Sequence, residues 1–322
     1  MSELHKFLFE GLPVRGMLVR LDDSWRELLR RRAPTQAYPP SVRALLGEMA
    51  AAATLMQANI KFNGSLTVQV YGDGPVKLAV VQVQPDLSFR ATAKVVGDVA
   101  PQSAFAALLN AHGGGRCSIT LDPRERLPGQ QPYQGVVPLH GDRREPLQEL
   151  AQVLEHYMLQ SEQLDTKLVL AADDDVAAGL MIQRVPLVGE GNLLGRRNED
   201  EIGLNEHYNR IATLAATLTH AELLTLDAET ILRRLFWEET LRRFEPLVGE
   251  RGPRFACTCS RSRVQRMLEG LGRDEVDSIV AERGDVEIGC EFCGLKYNFD
   301  AVDVGKLFTQ RRDQPPASTA VQ

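Results

Sequence analysis

Alternating apolar and polar residues dominate the middle of the first 180 or so residues, and this period is typical of β-strands. Five runs rich in Val, Ile and Thr, bounded by Gly and Pro, predict strands. These runs lie at residues 65–71, 76–84, 89–96, 116–122 and 134–139. Because Gly72 and Gly74 in the link between the first two runs can take the positive φ of a tight turn, these two strands are predicted to form an antiparallel hairpin.

A spacing of three and four residues between apolar positions predicts two helices in the same part of the chain. The first is predicted from Ser41, as its N-terminal cap, to about Asn59. The second is predicted from Pro146, in the first turn, to about Gln163. Packing of the two apolar stripes on the strands predicts a sandwich-like α/β core domain at residues 1–185, with a mainly antiparallel sheet.

Beyond residue 185 the pattern changes to a helical one that mixes apolar with strongly charged residues. A connection containing Gly and Asn at 186–200 leads into amphipathic stretches between Ile202 and about Leu247. We predict a metastable helical linker at residues 186–250, because it has few residues with which to build a core of its own. The sequence equally allows a stably docked helical hairpin.

Four of the five cysteines lie near the end of the chain, in a unit predicted at residues 251–308. They are Cys257, Cys259, Cys290 and Cys293. A unit of this size cannot depend on apolar burial alone, and four thiolates without a nearby histidine suit a closed, tetrahedral zinc site. We therefore predict that these cysteines bind Zn²⁺ and that the chain is α+β: an α/β core domain, a helical linker and a small zinc-binding domain. Residues 309–322 are predicted to be a disordered tail.

Composition narrows the classes of function. The net charge of −6 argues against a general nucleic-acid binder, which needs a basic face. The amino terminus carries acidic residues and no long apolar run, so we do not interpret it as a secretory signal. No stretch approaches the roughly 18 apolar residues of a membrane span. We therefore expect a protein of the cytoplasm. In that compartment thiols stay reduced, and clustered cysteines serve metal or redox chemistry.

The contexts of the two cysteine pairs resemble those of a known family. The motif Cys257-Thr258-Cys259-Ser260-Arg261, followed about thirty residues later by Gly289-Cys290-Glu291-Phe292-Cys293-Gly294, is similar to that of the bacterial 33 kDa heat-shock chaperonin family of redox-regulated holdases. Further similar segments occur at residues 72–75, 133–137, 161–164, 222–226 and 275–279. The resemblance extends over nearly all of residues 1 to about 308.

This resemblance implies an ATP-independent stress-response chaperone rather than an enzyme. In that family the reduced, zinc-bound protein is inactive, and oxidation forms two disulfides, here Cys257–Cys259 and Cys290–Cys293. Zinc release and unfolding of the linker then promote an active homodimer. The implied partners are unfolding client proteins, with neither nucleic acid nor membrane among them.

Loop lengths agree with such a switch. A metal held by both pairs closes the long loop between them, whereas a disulfide within each pair closes only a tiny ring. Because short loops remove little entropy from the unfolded chain, the two disulfides cannot replace the folding free energy that zinc supplies. Oxidation is therefore expected to melt the terminal domain.

Two other classes of function compete with the chaperone. A zinc-ribbon module would contact nucleic-acid phosphates through a group of arginines, namely Arg254, Arg261, Arg263 and Arg266. A thiol oxidoreductase would use Cys290 and Cys293, but such an enzyme needs an attacking thiol beside a helix start. The fifth cysteine, Cys117, lies in a strand pattern and is interpreted as a packed thiol whose role stays open.

Overall fold

The computed structural model describes residues 1–126, 129–185 and 205–309. Residues Met1–Ala256 form one compact unit, and a second unit begins at Cys257. The predicted connection at 186–200 and the predicted tail, apart from Thr309, lie outside the described residues. The functional division at residues 185, 250 and 308 stays a prediction, because compactness in one state does not reveal which segments unfold separately.

Strands supply most of the framework of the first unit. In chain order the strands are β1 (Glu3–Phe9), β2 (Val14–Leu21), β3 (Gly64–Tyr71), β4 (Val76–Val83), β5 (Ser88–Val95), β6 (Arg116–Pro123), β7 (Tyr133–Pro138), β8 (Thr166–Ala172), β9 (Ala177–Arg184), β10 (Leu241–Arg243), β11 (Leu247–Val248), β12 (Arg254–Phe255), β13 (Asp285–Gly289) and β14 (Lys296–Asp300). The last two belong to the second unit.

Helices cover the sheets and form part of the second unit. They are α1 (Asp23–Gln36), α2 (Pro40–Asn59), α3 (Phe105–Leu109), α4 (Leu150–Glu162), α5 (Glu206–Ala216), α6 (His220–Thr225), α7 (Ala228–Phe236), α8 (Arg261–Leu271), α9 (Arg273–Arg283) and α10 (Ala301–Thr309).

Two six-stranded sheets build the first unit. The first sheet has the order β10-β1-β2-β9-β8, with β11 also paired to β1, and the second has the order β12-β5-β4-β3-β6-β7. All of the described pairings are antiparallel except that of β12 with β5. The predicted sandwich-like α+β fold with mainly antiparallel sheet is confirmed, as is the β3–β4 hairpin.

Helix α2 forms the layer between the two sheets. It packs on β2, β8 and β9 of the first sheet and on β3, β4 and β5 of the second. Nearly all of its residues from Val42 to Gln57 are buried, including a run of four alanines. A Cβ on Gly47 would lie 2.4 Å from the Cβ of Ala172, so glycine permits the close approach of this helix to β8.

Helices α5, α6 and α7 cover the opposite face of the first sheet. Their apolar residues and those of the sheet form a second core cluster, separate from the one around α2. In this structure the helices predicted as a linker are therefore docked. The chain beyond Phe236 forms the short strands β10 and β11, so the predicted helical character up to Leu247 is wrong there.

Two predicted helix starts are also corrected. Helix α2 begins at Pro40 without a side-chain cap, and the Ser41 hydroxyl instead donates to the carbonyl oxygen of Ala100 at 3.1 Å. Helix α4 begins at Leu150, because Pro146 lies in an isolated bridge with His140. At α2 a proline does occupy the first helical turn, whereas Pro146 lies in the bridge before α4.

Glu48 is a carboxyl group on α2 whose protonation couples to folding. Burial raises the pKa of Glu48 to about 8, with a contribution from the negative charge of Glu149. Between its ordinary value of 4.5 and this raised pKa, the unfolded chain is ionised while the folded chain keeps its proton. Unfolding then releases a proton, so the contribution of Glu48 to stability falls as pH rises through this window.

Glu48→Gln is therefore expected to stabilise the fold more at pH 8 than at pH 5. At pH 7 the substitution removes a destabilising contribution of roughly 3 kcal/mol to the free energy of unfolding, since one pKa unit corresponds to about 1.4 kcal/mol. Thermal unfolding of both proteins at the two pH values measures this difference. Glu125→Gln, on the exposed surface, is the control. A gain from Glu48→Gln that is equal at both pH values would contradict the raised pKa.

Candidate metal centre

The four clustered cysteines of the second unit meet at one point. Cys257 and Cys259 precede α8, and Cys290 and Cys293 lie in the turn between β13 and β14. Their four sulfur atoms all lie within 4.8 Å of one another. Cys293 is buried and the other three are half-buried. The structure thus brings together the residues that the sequence analysis singled out as metal ligands.

Backbone geometry of the β13–β14 hairpin shapes the second half of the site. The N–H of Cys290 donates to the Leu295 carbonyl at 2.9 Å, and the N–H of Gly294 donates to the Cys290 carbonyl at 2.8 Å. Gly294 has a φ of 71°, in the left-handed region that favours glycine. A tight turn of this kind points both sulfurs of a Cys-x-x-Cys pair to the same side.

The sulfur spacing fits a tetrahedral metal. The Cys257 and Cys290 sulfurs lie 3.6 Å apart, and those of Cys259 and Cys293 lie 3.4 Å apart. Metal–sulfur bonds of about 2.3 Å place the sulfurs of a tetrahedral shell about 3.8 Å apart. Both close contacts join one pair to the other, so the site links segments that are far apart in the sequence.

Hydrogen bonds and burial shift the pKa values of three of the four cysteines in different directions. Contact with the Cys257 thiol, together with the N–H groups of Cys293 and Phe292, lowers the pKa of Cys290 to about 4. The same contact and burial raise the pKa of Cys257, and burial raises that of Cys293 to about 11. One thiol of the Cys257–Cys290 pair therefore loses its proton more readily than the other, and binding of a cation would release the remaining protons.

Two further residues lie beside the site: Tyr297, which the sequence analysis did not connect with the cysteines, and Arg261, which belongs to the motif around Cys259. The hydroxyl of Tyr297, on β14, donates to the sulfur of Cys259 at 3.2 Å. Arg261 lies 4.1 Å above the centre of the Phe299 ring, donates to the Asn298 carbonyl and pairs with Asp303. Neither role has a spacing signal, because both contacts cross between separate elements of the fold.

The apolar core of the second unit is small. Its buried hydrophobic residues, apart from the cysteine, are Leu268, Val276, Val286, Phe299, Val304 and Leu307. The segment between the cysteine pairs forms two helices, α8 and α9. A metal held by all four sulfurs would join the segment before α8 directly to the β13–β14 turn.

Helices α5 to α7 are docked through aromatic and aliphatic contacts. Phe236 is 2% exposed, and its ring centre lies 5.0 Å from that of Phe9 and 6.2 Å from that of Phe7. The helix starts are capped, with a reciprocal capping box between Thr219 and Glu222. Local signals thus define these helices, while their position depends on the sheet.

Residues that the alternative functions would use either pair with acidic side chains or lie in a different structural environment from the one those functions need. Arg254 pairs with Asp86 on the first unit, and Arg261 is engaged with Asp303. Cys290 lies in a hairpin turn rather than at the first turn of a helix. Cys117 is fully buried on β6, and burial raises its pKa to about 12, as expected for a packed thiol.

Fold and site together define a protein with a two-sheet α+β body and a small terminal unit whose four cysteines can hold a metal ion. A family model described as Hsp33 protein matches residues 2–300. No helix in the described parts of the chain is long and apolar enough to cross a membrane. The chain belongs to the Hsp33 family, whose members are named as chaperonins.

Individual relatives agree with this assignment. The chain is 46% identical over 307 residues to the 33 kDa chaperonin of Chromobacterium violaceum, covering 95% of this chain and 94% of that one. It is 41% identical over 305 residues to the 33 kDa chaperonin of Neisseria meningitidis, covering 94% and 90%. The crystal structure of the 33 kDa chaperonin from Thermotoga maritima matches with a TM-score of 0.73 at 20% identity, covering 97% of this chain and 99% of that one. That last likeness supports the fold.

Proposed function

We propose that this protein is a redox-regulated, ATP-independent holdase chaperone of the cytoplasm. In the reduced state Cys257, Cys259, Cys290 and Cys293 hold a zinc ion, and the protein is inactive. The observation that carries this proposal is the meeting of four sulfurs from two distant segments within 4.8 Å. Such a cluster can hold the terminal unit together while its cysteines are reduced. It is lost when oxidation converts the thiolates to disulfides.

Zinc is the metal that this donor set favours. Four soft thiolates without an oxygen or imidazole ligand suit a tetrahedral structural site. When bound, zinc supplies folding free energy by closing the loop between the two cysteine pairs. With all four positions taken by sulfur, the site has no place for a catalytic water, so the protein acts by binding rather than by catalysis.

Oxidation is proposed to join Cys257 to Cys259 and Cys290 to Cys293. Each pair of thiols gives two electrons to one peroxide molecule, so that one S–S bond and two water molecules form. The two short rings remove less than about 4 kcal/mol of chain entropy between them, well below the roughly 10–16 kcal/mol that a structural zinc ion supplies. The oxidised unit therefore loses the long-range link and is expected to unfold.

Residues 186–250 are proposed as the segment that responds. In the described part, α5 to α7 contact the first sheet through apolar side chains, and several of their ion pairs are exposed. Exposed ion pairs contribute little, so the apolar contacts hold the helices down. In this proposal the helices undock after the terminal unit has unfolded, which exposes apolar surface to unfolding client proteins and allows a homodimer to form. Neither nucleic acid nor membrane is a proposed partner.

Light scattering of a heat-unfolded client tests this function. The full chain is incubated with or without peroxide, and released zinc is measured in the same samples with a chromophoric chelator. We expect suppression of aggregation only in the peroxide-treated sample, in parallel with zinc release. Protein that expels zinc yet never suppresses aggregation would refute the switch. Limited proteolysis should show new cuts after about residue 190 only in the oxidised protein.

A further inference from the structure

The Cys259 sulfur of the metal centre receives a hydrogen bond from a side chain that is not itself one of the four cysteines. Backbone N–H groups serve the other three: that of Cys259 donates to Cys257, those of Phe292 and Cys293 donate to Cys290, and that of Leu295 donates to Cys293. At Cys259 the donor is the Tyr297 hydroxyl, at 3.2 Å. A backbone donor is present in any sequence, whereas this one exists only because residue 297 is a tyrosine.

We propose that Tyr297 is a positioning residue that fixes Cys259 in the metal centre and thereby sets the affinity for zinc. The inference rests on the metal site of the proposed function and adds a residue outside the four ligands. A hydroxyl donating to a thiolate makes a charge-assisted hydrogen bond, which orients the sulfur and withdraws part of its charge.

The ring of Tyr297 is held in place independently of the cysteine. Tyr297 is paired with Ile288 across the β13–β14 hairpin, and its side chain packs against the core cluster of the second unit. Its hydroxyl is therefore already directed at the Cys259 sulfur before a metal binds. Because the rigid hairpin carries the donor, little conformational freedom is lost when the hydrogen bond forms.

Arg261 keeps the two halves of this contact together. The arginine comes two residues after Cys259 and donates to the carbonyl of Asn298, the residue after Tyr297. Its stacking on Phe299 and its ion pair with Asp303 hold it there. The loop that carries Cys259 lies outside any regular element, so these contacts determine where its sulfur lies.

Tyr297→Phe removes the hydroxyl and keeps the ring, so the core contact of the side chain is preserved. Loss of such an outer-shell partner is expected to weaken zinc binding about tenfold or more. Competition with a chromophoric chelator, on the full reduced chain, measures this affinity. Tyr71→Phe is the matched control, because the Tyr71 hydroxyl lies on the first unit and donates only weakly, to Gln69 at 3.4 Å.

Cobalt substitution separates positioning from a loss of folding. Removal of the hydrogen bond raises the energy of the sulfur lone pairs, so the thiolate-to-cobalt charge-transfer band of Tyr297→Phe should move to longer wavelength. Tyr71→Phe should match the unaltered protein in both affinity and spectrum. An unchanged affinity, or a lower affinity with an unchanged band, would overturn the role of Tyr297.

The proposed function fails on a different result. If the unaltered chain binds zinc but never suppresses aggregation after peroxide treatment, the chaperone switch is refuted, while the affinities of the two tyrosine variants still decide the inference about Tyr297. If the unaltered chain does not bind zinc or cobalt through its cysteines, both proposals are overturned.

Discussion

Cys257→Ser is expected to abolish tight zinc binding and to melt the second unit while the first unit stays folded. A serine hydroxyl does not ionise at neutral pH and is a poor ligand for zinc, so only three sulfurs remain at the site. Structural zinc sites contribute about 10–16 kcal/mol, far more than the small apolar core of this unit can replace. We expect at least a hundredfold loss of zinc affinity.

Zinc content after dialysis and hydrogen exchange of residues 257–309 measure the two effects. The control is Cys117→Ser, which changes a fully buried thiol in the core of the first unit. It places an unsatisfied hydroxyl in that core, at a cost of about 1–3 kcal/mol, without touching the metal centre. Equal zinc loss in the two variants would refute the assignment of Cys257 as a ligand.

Phe236→Ala is expected to undock the helices on the first sheet without any oxidant. Phe236 packs against Phe9 and Phe7, and truncation of a buried phenylalanine costs about 3–5 kcal/mol. Because α5 to α7 form an outer layer, local undocking can absorb this loss while the core around α2 stays intact. The reduced variant should therefore be cut by trypsin between residues 205 and 243 and should suppress part of the client's aggregation.

The neighbouring residue provides the matched control for this second prediction. Trp237 is 74% exposed, so Trp237→Ala removes a larger ring from the same end of α7 with little effect on stability, within about 0.5 kcal/mol. Both reduced variants are compared by proteolysis and by light scattering. If Phe236→Ala remains as resistant and as inactive as Trp237→Ala, then the docking of these helices does not restrain the chaperone.

Strands with one buried face were predictable from their pattern. The five predicted runs coincide with β3 to β7 within a residue or so, because alternation of apolar and polar residues survives where one face meets solvent. The sequence analysis assigned none of the strands β1, β2, β8 and β9. Strand β9 is buried on both faces, between α2 and the helices α5 to α7, so its run of apolar residues carries no period.

The residues of the metal centre were predictable, whereas its surroundings were not. Cysteine is rare and its chemistry is narrow, so two close pairs already indicated four ligands. Tyr297 carries no such signal, and the motif that contains Arg261 does not indicate its contacts, since tyrosine and arginine serve many purposes at any spacing. Their roles depend on β14 lying beside the segment around Cys259 in the folded chain.

The sequence by itself determined the local features of this protein: the alternating strands, the amphipathic helices, the four thiolate ligands and the family resemblance they carry. The tertiary structure decided which sheet the late helices cover, that Phe236 holds them there, and which hydroxyl reaches Cys259. The reason is physical. A period or a motif reports on residues that are neighbours in the chain, whereas these contacts join residues far apart in sequence, whose partners depend on how the whole chain packs.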